Sequence, residues 1–226
     1  MRILLLCDDY YHPGKIPIEG IDPLKDQGFE FDIISDAKDF NPETMSEYPV
    51  ILLCKSDERS KNIRESWKTK TIQKAFINYV EHGGGLLAVH SGIVAGKDTA
   101  ELDQMLGSRF TYHPAQTPVT VQVIKPHPVT EGVEMFCEVD EHYRLEWLAG
   151  DADILMASYS PAQGDESLYG TNPHNTPAWI GASAYVRTQG VGRICVLTPG
   201  HTLAVWHHPQ FQKLLINALN WCKGDE

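Results

Sequence analysis

The sequence predicts an α/β protein: a doubly wound, mainly parallel sheet with an antiparallel extension in the second half. Three observations lead there. Short continuous apolar runs alternate with helix-length stretches through the first ninety or so residues, the pattern of βαβ units with right-handed crossovers. Beyond about residue 117 the pattern changes to apolar–polar alternation and turn-rich loops. And 226 residues, 42% hydrophobic and 22% charged, suffice for one well-buried domain but not for two of ordinary size. With no repeat, low-complexity tract or linker, residues 1–226 read as one domain.

Taken in order, Arg2–Cys7 (RILLLC) is an apolar run closed by polar residues, as in a strand buried on both faces, and residues 29–34 and Val50–Cys54 repeat the type. Residues 20–27 and 42–47 are long enough for short crossover helices, with Gly28 placed to stop the first. Ile72, Ala75, Phe76, Tyr79 and Val80 form one helical stripe that Gly83 to Gly85 end, and residues 86–89 make a fourth buried strand. In the second half, residues 119–124 alternate, 136–139 and 154–158 are short strands, and 164–177 are loops. Gly192–Leu197 returns to the central sheet. Phe211, Leu214, Leu215, Ala218, Leu219 and Cys222 then keep the spacing of a final helix docked on it.

Composition narrows the function. A net charge of -11 repels phosphate backbones and anionic lipid, which argues against nucleic acid and membrane surfaces as partners. Five cysteines, an odd number with no CxxC pair, point to a reducing compartment rather than a disulfide or zinc framework. The first apolar stretch is too short for a signal peptide and no run reaches membrane-spanning length, so the expected location is the cytoplasm.

Ligands of open α/β sheets bind beyond the carboxyl ends of the strands. After the first strand come Asp8, Asp9 and His12; after the third, Lys55, Ser56 and Asp57; after the fourth, His90 and Ser91; after residues 192–197, His201. Ala88 and Gly92 stand two positions either side of His90, the small residues a sharp strand-to-helix elbow needs, with His where a Ser or Cys nucleophile would stand. Centring the elbow on Ser91 would put Val89 and Ile93 at the small positions, which is sterically poor. His90 could be a base, a metal ligand or a hydrogen-bonding partner, or a histidine satisfied by a tight turn. Trp206 offers a stacking surface for a sugar ring, as do Tyr143 and Trp179, while His207 and His208 read as a solvated pair flanking the helix near Pro209. In Asp140 to Tyr143, alternation sends Glu141 and Tyr143 to one face, and Glu141 is the favoured carboxylate. His127 is read as turn architecture, His113 is left open between structure and substrate binding, and Cys7 and Cys54 read as buried thiols on neighbouring strands.

GGGLLAVHSG (83–92), HPVTEG (127–132), DEHY (140–143) and PGH with WHHPQF (199–201, 206–211), together with Tyr11 and His12, resemble the trehalose-utilisation (ThuA-like) family over nearly the whole chain. That resemblance implies a flavodoxin-like fold similar to the class I glutamine amidotransferases, with His90 where their nucleophilic Cys would be and His201 near their catalytic His. It implies a role in disaccharide catabolism, with trehalose or its 3-keto form as substrate.

The leading expectation is therefore an enzyme that cleaves a glycosidic C–O bond of a sugar or keto-sugar by hydrolysis or elimination. His90, Glu141 and His201 would be catalytic, and Asp9, His12, His113, Tyr143 and Trp206 would bind substrate. A divalent metal, zinc or manganese, would be held among His12, His90, Glu141 and His201. Without a thiol at the elbow, amidotransferase chemistry is not expected. The alternative is a non-catalytic sugar-binding or sensing module. A receiver-type signalling domain, suggested by Asp8 and Asp9, fails because Cys54 and Lys55 stand where its acidic acceptor would be. Loops of the second half could serve a homo-oligomer contact.

Overall fold

The computed structural model describes residues 1–160 and 180–224. Its elements follow the chain as β1 (Arg2–Cys7), α1 (Lys15–Gly20), α2 (Asp22–Lys25), β2 (Glu30–Ile34), β3 (Val50–Cys54), β4 (Glu58–Ser60), β5 (Ile63–Ser66), α3 (Lys70–Glu81), β6 (Gly85–Val89) and α4 (Ala100–Leu106). Then come β7 (Ser108–Tyr112), β8 (Thr117–Val123), β9 (Phe136–Asp140), β10 (Arg144–Trp147), β11 (Asp153–Tyr159), β12 (Ile180–Gln189), β13 (Gly192–Leu197), α5 (Leu203–His207) and α6 (Pro209–Lys223).

One sheet runs β2-β1-β3-β6-β13-β12-β11-β8-β9. From β2 to β13 every pairing is parallel, and from β13 to β9 every pairing is antiparallel. The parallel part has the flavodoxin-like order, which reverses direction between β1 and β3 and opens a crevice beyond the carboxyl ends there. The apolar runs are continuous because successive side chains serve different layers. Ile3 and Leu5 of β1 pack in the core that includes Phe211, Leu214 and Leu215 of α6, whereas Leu4 and Leu6 join Phe76 and Val80 of α3. Each such leucine removed from water contributes roughly 1.5–3 kcal/mol. Cys7 and Cys54 are register partners, both buried as free thiols. Among the described residues no helix is long and apolar enough to cross a membrane.

The structure departs from the sequence reading in four places. The stretch 20–27 is not one helix: α1 ends at Gly20 and α2 starts at once, with a proline in its first turn that can open a helix but not continue one. Residues 42–47 form a 3₁₀ segment. β2 is an edge strand and is only half-buried, with Phe31 against one core and Ile34 against the other. The β4–β5 hairpin, α4, β7, β10, β12 and α5 had no sequence counterpart. The loops at 164–177 and Trp179 lie outside the described residues.

Gly92 is where β6 turns into its 3₁₀ exit (His90–Ile93), and a Cβ there would sit 2.1 Å from the Leu53 carbonyl oxygen of β3. Backbone cannot yield as a side chain can. Gly92→Ala is expected to lower stability by about 2–4 kcal/mol in urea unfolding. Gly28→Ala, at φ +84 with nothing within 4 Å, should cost only about 1 kcal/mol, the backbone strain alone.

Candidate functional site

β6 delivers His90 at φ +50, the strained backbone the elbow pattern anticipates. Its Nδ1 lies 2.8 Å from the Thr198 carbonyl oxygen at the end of β13. A carbonyl only accepts, so Nδ1 carries the proton and the neutral ring presents an Nε2 lone pair to the crevice. That Nε2 is 3.3 Å from His201 Nδ1 and 3.3 Å from Glu141 Oε2.

His12 is set the same way from β1. Asp9, fully buried, accepts from His12 Nδ1 at 2.8 Å through Oδ1, from the backbone N–H groups of Tyr11 and His12 through the same oxygen, and from Ser56 N–H through Oδ2. The carboxylate fixes the His12 tautomer and turns Nε2 inward, where the Tyr143 hydroxyl reaches it at 3.4 Å. Asp8, at φ +73, shapes the same turn by accepting from Gly14 N–H at 2.8 Å. Beneath it the buried Lys55 ammonium donates to the carbonyls of Cys7, Asp8 and Ser35, pinning the ends of β1 and β2.

The carboxylate of the site comes from the other half of the fold. β9 ends at Asp140, which is buried and accepts from Gly200 N–H (2.8 Å), His201 N–H (3.0 Å) and Glu141 N–H (2.9 Å). This clamp sets Glu141 beside His201, with Oε1 3.2 Å from His201 Nδ1, and beside His113, whose Nε2 is 3.4 Å from Oε2. Oε2 has two imidazole nitrogens within ion-pair distance, yet is buried without a properly aligned hydrogen bond. The ligating atoms of His12, His90, Glu141 and His201 all lie within 4.8 Å of one another.

Charge is distributed unevenly over this cluster. Burial works against ionising Glu141, but its contacts with His201 and His90 outweigh burial and hold the carboxyl well below the usual range. Burial also opposes charge on Asp9, but the His12 ring and the backbone donors keep it down at about 2. For His90 burial prevails and lowers its pKa, despite Glu141 and Asp140. His201 is also penalised by burial, yet Glu141 and Asp140 raise it above its ordinary value. Two rings oriented as Nδ1–H tautomers, a third imidazole and an ionised carboxylate with one oxygen lacking an aligned hydrogen bond are a donor set suited to a divalent cation. Separations of 3.2–3.3 Å are those of two donors each about 2.1 Å from a shared ion.

Of the residues singled out in the sequence, His12, His90, Glu141 and His201 do meet, and His113 stands beside them. Three others are corrected. Trp206 offers no stacking face: it is 1% exposed, donates to the Gly200 carbonyl at 2.8 Å and packs on Phe211. Tyr143 is equally buried, its ring stacked on His90 at 4.1 Å, so it is a wall behind the imidazole. Asp9 touches no solvent and orients His12 rather than substrate. His142 turns away to Ser158, and burial with Arg144 nearby lowers its pKa to about 3. His208 caps α6 by accepting from Gln210 N–H, and His127 caps its own turn. The clamp at Asp140 was missed, although it sits one residue from the favoured Glu141. The Thr198 contact has no sequence signal, because it uses a backbone carbonyl.

Comparison with known proteins shows the family and the fold. A family model named ThuA and described as trehalose utilisation matches residues 4–222. A ThuA-like protein of Parabacteroides merdae is 19% identical, with TM-score 0.76, covering 99% of this chain and 90% of that one. One from Bacteroides uniformis is 20% identical, with TM-score 0.68 and coverage of 98% and 91%. A β-galactosidase of Bacillus circulans is 14% identical, with TM-score 0.62, covering 99% of this chain but 31% of that one. At these identities the likenesses show the fold alone. No curated protein matches the sequence significantly.

The raised His201 pKa has a signed consequence for the metal-free protein. A histidine bound more tightly to its proton when folded adds stability in full below its unfolded value of about 6.5, and loses it as pH rises through the folded value. His201→Gln should therefore destabilise the chelator-treated protein more at about pH 5.5 than at about pH 9, measured by urea unfolding. An equal loss at both would mean that the Glu141 contact does not hold the proton.

Proposed function

The chain belongs to the ThuA, trehalose-utilisation family, and on that premise we propose that it is a carbohydrate-utilisation enzyme that cleaves a glycosidic C–O bond of a trehalose-like disaccharide or its 3-keto derivative. The observation that carries this reading is the convergence of His12, His90, Glu141 and His201, with the His12 and His90 tautomers fixed from outside and one buried carboxylate oxygen without an aligned hydrogen bond. Those four residues would hold a zinc or manganese ion, which supplies Lewis-acid polarisation of a carbonyl or hydroxyl oxygen.

The chain's own residues account for the remaining requirements. Asp9 and the Thr198 carbonyl orient two imidazoles so that no reorganisation is needed at the moment of reaction. Tyr143 closes the back of the site and keeps water from that face of His90. His113 stands outside the four-donor set, with its side chain 33% exposed and Nε2 3.4 Å from Glu141, and so is placed to exchange a proton with substrate. In a 3-keto-glycoside the carbonyl acidifies the C2–H bond. Removal of that proton forms a C1–C2 double bond as the C1–O bond breaks, and the leaving oxygen takes up a proton. Water added across the double bond completes net hydrolysis.

Calorimetric titration of the chelator-treated protein with zinc or manganese should show one site, lost in Glu141→Gln and weakened about 10–100-fold in Asp9→Asn, where His12 loses its carboxylate partner. Metal-loaded protein should cleave 3-keto-trehalose or trehalose, and chelation should abolish turnover. A protein that leaves both intact with either metal contradicts the proposal. Sugar binding without turnover, unchanged in His90→Ala and His201→Ala, would instead identify a sensing module.

A further inference from the structure

Exposed apolar residues scattered singly are ordinary, but aromatic rings grouped beside a polar site can serve as a ligand surface. Among the described residues the exposed aromatic side chains are Tyr10 (52%), Tyr11 (59%) and Tyr112 (38%). Each lies within two residues of a site histidine, Tyr10 and Tyr11 before His12 and Tyr112 before His113. The cluster is least buried at His12, His201 and His113. His90 and Glu141 are its floor, with side chains 3% and 9% exposed, whereas those of His12, His201 and His113 are 15%, 20% and 33% exposed.

The tyrosines are held in place rather than loose. Tyr10 N–H donates to Glu58 and Tyr11 N–H to Asp9. The Arg64 guanidinium, fixed by Glu58 at 2.6 Å, lies 4.8 Å from the Tyr10 ring centre and 5.4 Å from that of Tyr11. On the other arm, Tyr112 is nearly parallel to His113 (18°), His113 to Tyr143 (19°) and Tyr143 to His90 (30°), so near-aligned rings step from the buried floor to the surface. Exposed rings beside a polar cluster fit the apolar face of a pyranose, whose axial C–H groups pack on an aromatic plane while its hydroxyls stay at the edge.

We propose that Tyr10, Tyr11 and Tyr112 form a second sugar subsite, at the lip of the site, that receives the outer ring of a two-ring glycoside while the histidine cluster acts on the bond to the inner ring. The inference rests on the glycoside reading above and adds the residues that select a disaccharide over a single sugar. Arg64 and Glu58 are the groups at hand for the outer ring's hydroxyls.

The test compares trehalose and 3-keto-trehalose with glucose and 3-keto-glucose, by calorimetric binding to the metal-loaded protein and, where turnover occurs, by KM and kcat. Tyr11→Ala and Tyr112→Ala should each weaken binding of the two-ring probes about tenfold, the scale of one aromatic stacking contact. They should leave one-ring binding, kcat and metal affinity unchanged. Tyr11→Phe, which keeps the ring, should behave as wild type. Equal two-ring affinity in wild type and both alanine variants overturns the subsite and leaves the enzyme reading intact, and so does a Phe variant as weak as Ala. Wild-type protein that binds no probe overturns both.

Discussion

The site depends on one buried carboxylate. Asp140 accepts three backbone N–H groups, from Glu141 on its own strand's exit and from Gly200 and His201 on the exit of β13. Burial pushes its pKa up, and the His90 ring and these three donors oppose that rise without cancelling it. A carboxylate taken out of water must find such partners, so the two strand exits it joins cannot drift apart without leaving buried polar groups unpaired. Gly200 belongs to the same constraint. A Cβ there would come within 3.0–3.1 Å of Val89 Cγ1 and His90 Cβ, so the turn is tight because the end of β6 lies against it.

Around that clamp the two halves of the sheet divide the work. The parallel half supplies His12, His90 and His201 from the ends of β1, β6 and β13, where βα connections converge. The antiparallel half supplies Glu141 and Tyr143 from beyond β9, folded back across the crevice. The side chains that look most like ligand surfaces in the sequence serve as support. Trp206 and Tyr143 are each 1% exposed, and each finds a partner for its polar atom, the Gly200 carbonyl and His12 respectively. That is how large amphipathic rings are tolerated in a core.

Much of this was legible from residue types and spacing. The order of the buried runs predicted the parallel sheet, and the small residues flanking His90 predicted the positive-φ elbow found there. What remained hidden has physical reasons. Periodicity reports burial of a face, but not which strand takes the edge, so β2 was read as fully covered. A tryptophan near a functional histidine has the same sequence signature whether it faces solvent or the core, because packing against Gly20 of α1, far earlier in the chain, decides the matter. Backbone acceptors such as Thr198 leave no trace in side-chain identity. Alternation pointed to Glu141, but the clamp made by the adjacent Asp140 depends on the turn after β9 and on backbone N–H groups of Gly200 and His201 that side-chain identity does not reveal.

The central claim is that four side chains from distant parts of the chain make one cation-binding centre. A crystal structure of protein loaded with manganese, with diffraction measured on both sides of the manganese absorption edge, tests it most directly. The account predicts an anomalous peak between His12 Nε2, His90 Nε2, His201 Nδ1 and a Glu141 carboxylate oxygen, at distances of roughly 2.0–2.3 Å. Saturating manganese with no peak there, or a peak at an unrelated surface carboxylate while the four side chains keep their present contacts, would contradict it.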